Sequence, residues 1–146
     1  MTGANTPAAL AFADIEPGDD LPAREVDLDG SWITDHARAM DMAAPRFTDD
    51  AGARREGLPG QIMPGAMSIG LLTSTLLAWA PGARLVRIGT TFRGLVRAGG
   101  RARILGMVID TDHATRRVEC EMWMQDAASG DRLVVGTMTL EFPQAR

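Results

Sequence analysis

Residues 58–82 read LPGQIMPGAMSIGLLTSTLLAWAPG. Two Pro-Gly pairs, at Pro59-Gly60 and Pro64-Gly65, lead into an apolar run, and a third pair, Pro81-Gly82, closes it. From Ala66 to Ala80 the run holds no charged residue and no proline. Its fifteen residues fall short of the roughly 20 that a bilayer-spanning helix needs, so it reads as a core helix. A helix without a polar face needs cover on every side. The rest of the chain must supply that cover, and what it leaves bare falls to a second subunit.

Downstream the pattern changes to strands. Residues 83–96, 101–112, 115–126 and 132–142 are four β-rich segments, separated by turn-forming residues at 97–100, 112–114 and 127–131. Val118, Cys120, Met122 and Met124 alternate with Glu119, Glu121, Trp123 and Gln125, giving one apolar and one partly polar face. Upstream, residues 22–28 alternate Arg24, Val26 and Leu28 against Ala23, Glu25 and Asp27, a modest strand signal. Residues 29–44 read as a helix with Thr34 as its N-cap, Asp35 in its first turn, and Ile33, Ala37, Met40 and Ala44 at helical spacing. Residues 45–65 carry no period and read as a long polar loop, a length that in a compact domain points to function or disorder. Residues 1–20 read as a loose leader, leaving one domain over 21–146. The expected class is α+β: a curved antiparallel sheet wrapped around one long central helix.

Composition narrows the function. A net charge of −4 argues against nucleic acid or an anionic membrane surface as partner. All 15 basic residues are arginine, which excludes lysine chemistry and leaves arginine as the side chain for any phosphate. One cysteine rules out an internal disulfide, and two separated histidines make no usual zinc site. No metal or cofactor is therefore expected. The acidic N-terminus lacks the basic and apolar regions of a secretory signal, so the expected location is cytoplasmic.

Several stretches together resemble one family. FADIEPGDDLPAREVDL is similar to the opening strand of the MaoC-like, (R)-specific enoyl-CoA hydratases, and residues 33–67 to that family's helix, overhanging loop and turn into a central helix. Phe92, Arg93, Gly94, Val96 and Gly99 fit its Phe-Arg-Gly-x-Val-x-x-Gly strand. The resemblance implies the hotdog fold, a coenzyme A thioester as ligand, and a homodimer or a heteromer with another hotdog subunit. It also exposes a gap. Of the family's Asp-x-Asn-Pro-x-His-x-Asp, Pro45 and Asp49 match, but the Asp falls on Met42, the Asn on Ala44 and the His on Phe47. Of Ile-x-His-Gly-Met, Ile62 and Gly65 match, while the His falls on Pro64 and the Met on Ala66. Hydration needs one group to activate water and another to relay a proton, and methionine and phenylalanine do neither. LPGQIMPGAM also looks like the motif of the β-hydroxyacyl-ACP dehydratases, whose His and Glu would fall near Gly57 and on Gly70.

What the resemblance leaves is the binding half of a site. The backbone N–H groups at Gly65 and Ala66, opening the central helix, would hold a thioester carbonyl. Asp41, one residue before the expected acid, is either a displaced catalytic carboxylate or a solvated helix-end acid. Arg46 in the overhanging loop would pair with a substrate carboxylate or face water. Arg93 and Arg97, with Arg101 and Arg103, would form a basic hairpin for coenzyme A phosphates, or an outward set balanced by acids. Asp49 is expected to structure its loop, and His36 and His113 to be solvated. Three functions compete: a hydratase with a displaced acid, a non-catalytic acyl-CoA-binding or partner subunit, and a divergent hotdog enzyme such as a thioesterase.

Overall fold

The computed structural model describes residues 10–144. Five antiparallel strands, β1 (Arg24–Asp27), β2 (Arg84–Phe92), β3 (Arg101–Asp112), β4 (Arg117–Asp126) and β5 (Arg132–Glu141), form one sheet in the order β1-β3-β4-β5-β2. Between β1 and β2 the chain forms α1 (Gly30–Ala39), two short helices, α2 (Pro45–Thr48) and α3 (Asp50–Arg55), and the long α4 (Gly65–Trp79).

Helix α4 forms where the apolar run placed it and packs against β2, β3 and β4. Met67, Leu71, Leu72 and Leu76 join Ile104, Val108, Met122, Met124, Met138 and Leu140 in one core. The alternation in β4 holds, with Val118, Cys120, Met122 and Met124 all buried. Cover of the helix is incomplete: Ala66, Gly70, Ser74, Leu77 and Ala78 are exposed along α4. Among the described residues no helix is long and apolar enough to cross a membrane.

Burial pushes the Cys120 thiol up to about 12, with Glu119 adding to the effect. The raised value means that folding favours the neutral thiol. That contribution to stability is complete below the ordinary value of 9.0 and is lost as pH climbs from there towards 12. We expect the native protein at neutral pH to resist a thiol reagent that labels it stoichiometrically once denatured. Fast labelling of the native state would contradict the packing.

The structure corrects several sequence expectations. The N-cap of α1 is Asp29, not Thr34: the Asp29 carboxylate accepts from the N–H groups of Ser31 (2.7 Å) and Trp32 (3.3 Å). Thr34 sits one turn inside the helix, its hydroxyl donating to the Gly30 carbonyl at 2.9 Å. The helix stops at Ala39 rather than Ala44 because Asp41 turns left-handed, with φ 56°. Asp41 then donates its N–H to the Arg38 carbonyl and Met42 donates to Ala37, the paired bonds of a Schellman motif. Residues 45–65 are not all loop, since α2 and α3 occupy the first half. Asp49 caps α3 by accepting from the N–H groups of Ala51 and Gly52.

The largest correction concerns residues 97–100. They are not a hairpin turn between β2 and β3, because β2 pairs with β5 and β3 with β1 and β4. Residues 93–100 instead cross from one side of the sheet to the other. Their backbone is held by Met63 N–H to the Val96 carbonyl (2.8 Å), Ala98 N–H to Gln61 (2.9 Å) and Gly99 N–H to Leu28 (2.6 Å). The described part of the leader is also less loose than its composition suggests. Phe12 and Ile15 are buried, and Gly18 and Leu21 donate to the Val108 and Gly106 carbonyls on β3. Residues 1–9 of that leader lie outside the described residues.

Candidate functional site

The Pro64 turn aims the start of α4 at a recess of about 280 Å³, lined by Ile62, Met63, Gly65, Ser68, Phe92 and Val96, with Arg46, Phe47, Gly94 and Leu95 completing its wall. Pro64 has extended backbone (φ −58°, ψ 141°) and no side chain caps the helix. The first N–H groups to find acceptors are those of Met67 and Ser68, both on the Pro64 carbonyl at 3.0 and 3.3 Å. Among the described residues, the N–H groups of Gly65 and Ala66 donate to nothing. Two unpaired donors at the positive end of a fifteen-residue helix are suited to an oxygen that carries partial negative charge. Glycine allows close approach here: a Cβ at position 65 would lie 2.9 Å from Cζ of Phe92 and would push that exposed ring aside.

One buried glutamine fixes this turn. The Gln61 side-chain amide, shared among three acceptors, donates to the carbonyls of Phe47 (2.6 Å) and Gly30 (3.0 Å) and to Thr34 Oγ1 (2.9 Å). Its backbone N–H reaches Asp50 Oδ1 at 2.8 Å. A single residue thereby ties α1, α2, α3 and the crossing segment to the entrance of α4. Ser68 is the other polar group that sequence reasoning missed. It is only 1% exposed, and its hydroxyl faces the Met63 sulfur at 3.4 Å, a weak acceptor. One of four hydroxyl residues in an uncharged helix, it carries no distinguishing sequence signal, and only its place on the recess wall draws attention to it.

Of the predicted residues, Gly65 and Arg46 come together at this recess. Arg46 is half-exposed, and its Nε lies 3.0 Å from a carboxylate oxygen of Glu56. Ala66 follows Gly65 on the exposed side of the helix. Asp41 is exposed at the end of α1 and is not part of the recess wall. Glycine tolerates a left-handed backbone better than aspartate does, so Asp41→Gly should raise stability by up to about 1 kcal/mol. A thermal melt checks this, and a lowered Tm would mean that the carboxylate makes contacts beyond its backbone role.

The arginines do not form one cluster. Arg97 lines a separate recess of about 430 Å³, together with Leu28, Ala98, Asp126, Ser129 and Asp131; the two recesses meet at Leu95. The Asp126 carboxyl is held below its ordinary value by hydrogen bonds from Ser129 and then Ala128, so it stays anionic near Arg97. Arg93 is exposed just past the end of β2 and lines neither recess. Arg101 is engaged by Asp27 (2.9 Å) and Glu25 (3.2 Å), and Arg103 approaches Glu25 at 3.7 Å. His36 and His113 lie outside the recess, His113 against the Phe12 ring. No group of three or more His, Cys, Asp or Glu residues suited to a metal occurs among the described residues.

No family model and no curated protein matches the chain by sequence. Solved structures match it by shape. The (R)-hydratase PhaJ1 from Pseudomonas aeruginosa superposes with a TM-score of 0.82 at 18% identity, covering 92% of this chain and 86% of that one. The MaoC-like dehydratase from Rhodospirillum rubrum gives 0.79 at 16% identity, covering 94% and 100%. A chain of the ChsH1-ChsH2 complex from Mycobacterium tuberculosis gives 0.80 at 18% identity, covering 88% and 98%. The chain therefore has the α+β hotdog fold of this (R)-hydratase and this MaoC-like dehydratase.

Proposed function

We propose that the chain is a cytoplasmic acyl-CoA-binding hotdog protein of the enoyl-CoA hydratase and 3-hydroxyacyl dehydratase class. One observation carries the reading: Gly65, whose N–H is unpaired like that of Ala66 beside it, lines a largely apolar recess. Hydrogen bonds from such donors polarise a thioester carbonyl, and the apolar wall accepts the acyl group. Arg46 at the rim offers a cation to the polar end of the ligand. The test is calorimetric titration of butyryl-CoA and crotonyl-CoA into the protein, beside Gly65→Val. Binding that the substitution weakens at least 10-fold supports the reading. Equal binding by both proteins would place the ligand elsewhere, and no binding would leave the fold alone.

A specific observation favours the role of a partner subunit within that class. Among the described residues the recess wall contains no Asp, Glu or His, so these offer no group to activate water or return a proton. A second hotdog chain would bring that pair. Its docking surface is the outer edge of β2, where Ile88 and Phe92 are 44% and 52% exposed and continue to Leu95 at 44%. The ChsH1-ChsH2 complex, one of whose chains has this fold, supports the reading. Co-purification with a dyad-bearing hotdog chain, and turnover only by the mixture, is the expected result. Turnover by this chain alone that Asp41→Asn abolishes would instead establish a displaced acid.

A further inference from the structure

A third recess lies near the other end of α4. It is an open groove of about 300 Å³ between the start of β1 and the last turns of the helix, lined by the exposed Pro22, Ala23, Arg24 and Ala78 and by Thr75 and Trp79. It shares no wall residue with the recess at Gly65. Ser68 lines one and Thr75 the other, two turns or about 10 Å apart along the axis. Leu71 and Leu72 are buried between them.

Arg24 is the sole charged residue of this wall. Register separates it from its neighbours. Arg24 and Val26 pair with Ile104 and Ala102 and share the inner face of β1, whereas Glu25 and Asp27 share the outer face, where they engage Arg101 and Arg103. Among the described residues no carboxylate oxygen comes within 4.0 Å of the Arg24 guanidinium. What holds it is the helix: Nη1 donates to Ser74 Oγ at 3.1 Å and to Thr75 Oγ1 at 3.2 Å. Both hydroxyls are themselves oriented, since each donates to the Leu71 carbonyl, at 3.1 and 2.8 Å. The guanidinium is thus fixed through one nitrogen. Its Nε–Nη2 edge, which can donate to both oxygens of a carboxylate, makes no hydrogen bond to any described residue.

We infer that this groove is a second ligand site, one that takes a small apolar carboxylic acid as its anion. The carboxylate sits on the Nε–Nη2 edge of Arg24, and the apolar body lies against Trp79, Ala78 and Pro22. The separation of the two sites makes the ligand a free acid rather than the far end of an acyl group whose thioester is held at Gly65. The site stands whether or not the thioester reading does.

Titration of octanoate, followed through the Trp79 indole N–H resonance (assigned with Trp79→Phe), tests it. Octanoate should move that resonance to saturation, and 1-octanol, with the same chain and no charge, should not. Arg24→Gln should raise the octanoate midpoint at least 10-fold. Should that variant fail to fold, Arg24→Lys, which keeps the charge without the bidentate edge, and Thr75→Val, which removes one anchor, should each weaken binding several-fold. An unmoved Trp79 resonance, equal binding of 1-octanol, or an unchanged midpoint in the folded variants overturns the inference. Competition by butyryl-CoA would put octanoate in the Gly65 recess and overturn it equally, whereas failure of butyryl-CoA to bind bears on the thioester site alone.

Discussion

Leu72→Ala should be the most damaging single truncation, lowering stability by about 2–5 kcal/mol. Leu72 has no exposed surface and lies near the middle of α4, the one helix that packs on β2, β3 and β4 alike. Removing its branch takes away apolar burial and leaves a cavity that the surrounding strands cannot collapse to fill. The strands are held in fixed register over eight to ten pairs by their own ladders, so they have little freedom to move inward. A domain of this size is stable by only about 5–15 kcal/mol, so the loss is a large fraction of the total. It should appear as a Tm drop on the order of 10 °C. Denaturant midpoints that fall with unchanged slopes would identify a loss of stability rather than a change of mechanism. The exposed Leu77 on the same helix is the control: Leu77→Ala should cost well under half as much in the isolated chain. A comparable loss at both positions would mean that α4 is covered on both sides.

Gln61→Met should cost about 1–3 kcal/mol while keeping the side chain's length, because that is the cost of leaving one buried acceptor unpaired. The substitution strands the Phe47 carbonyl, which the glutamine amide alone satisfies, and removes one of the donors to the Gly30 carbonyl, which keeps its bond from the Thr34 hydroxyl. The loss should reach the recess as well, because the same residue connects α1, α2 and the crossing segment to the turn before Gly65. Acyl-CoA affinity should therefore fall together with stability. Thr34→Val removes one acceptor of the same amide without stranding either carbonyl and should cost less. If Gln61→Met left both Tm and affinity unchanged, the network would be incidental to the site.

The two buried polar groups that matter most here, Gln61 and Ser68, could not be found from the sequence for the same reason. Their burial depends on segments far away along the chain. Gln61 looks like any polar residue in a Pro-Gly loop, yet its partners lie 14, 27 and 31 positions away. The central helix, by contrast, announced itself locally, through an uncharged run closed at both ends by Pro-Gly. Strands β3, β4 and β5 did so through alternation and polar turns, because consecutive strands that pair as a meander need only local signals. Strand β2 broke that rule. Its glycine-rich exit looked like a hairpin, but the N–H groups of Arg93 and Gly94 both go to the Leu133 carbonyl, and the chain crosses instead. Helix α1 was displaced by rival caps. Asp29 and Thr34 are both capping residue types, and only the observed bonds to Ser31 and Trp32 decide between them. Its early stop rests on a left-handed aspartate, a conformation that sequence alone seldom signals.

The arginines illustrate how pairing decides meaning. Read along the chain, Arg93, Arg97, Arg101 and Arg103 form one basic stretch. In the fold, Arg101 and Arg103 meet β1's acids, Arg97 shares a recess with Asp126 and Asp131, and Arg93 stands apart. Arg24, which in the sequence figures only in the alternation of a strand, is the one whose charge faces a largely apolar groove.

If the first two amides of α4 hold a thioester carbonyl, their own resonances should report it. Backbone N–H signals of Gly65 and Ala66, followed while the protein is titrated with butyryl-CoA and separately with S-butyl-CoA, test this most directly, because the second ligand differs only in lacking the carbonyl. Downfield proton shifts are expected at both amides with the thioester, and much smaller ones with the thioether. Equal shifts with both ligands, or none with either, would contradict a carbonyl held at the start of α4.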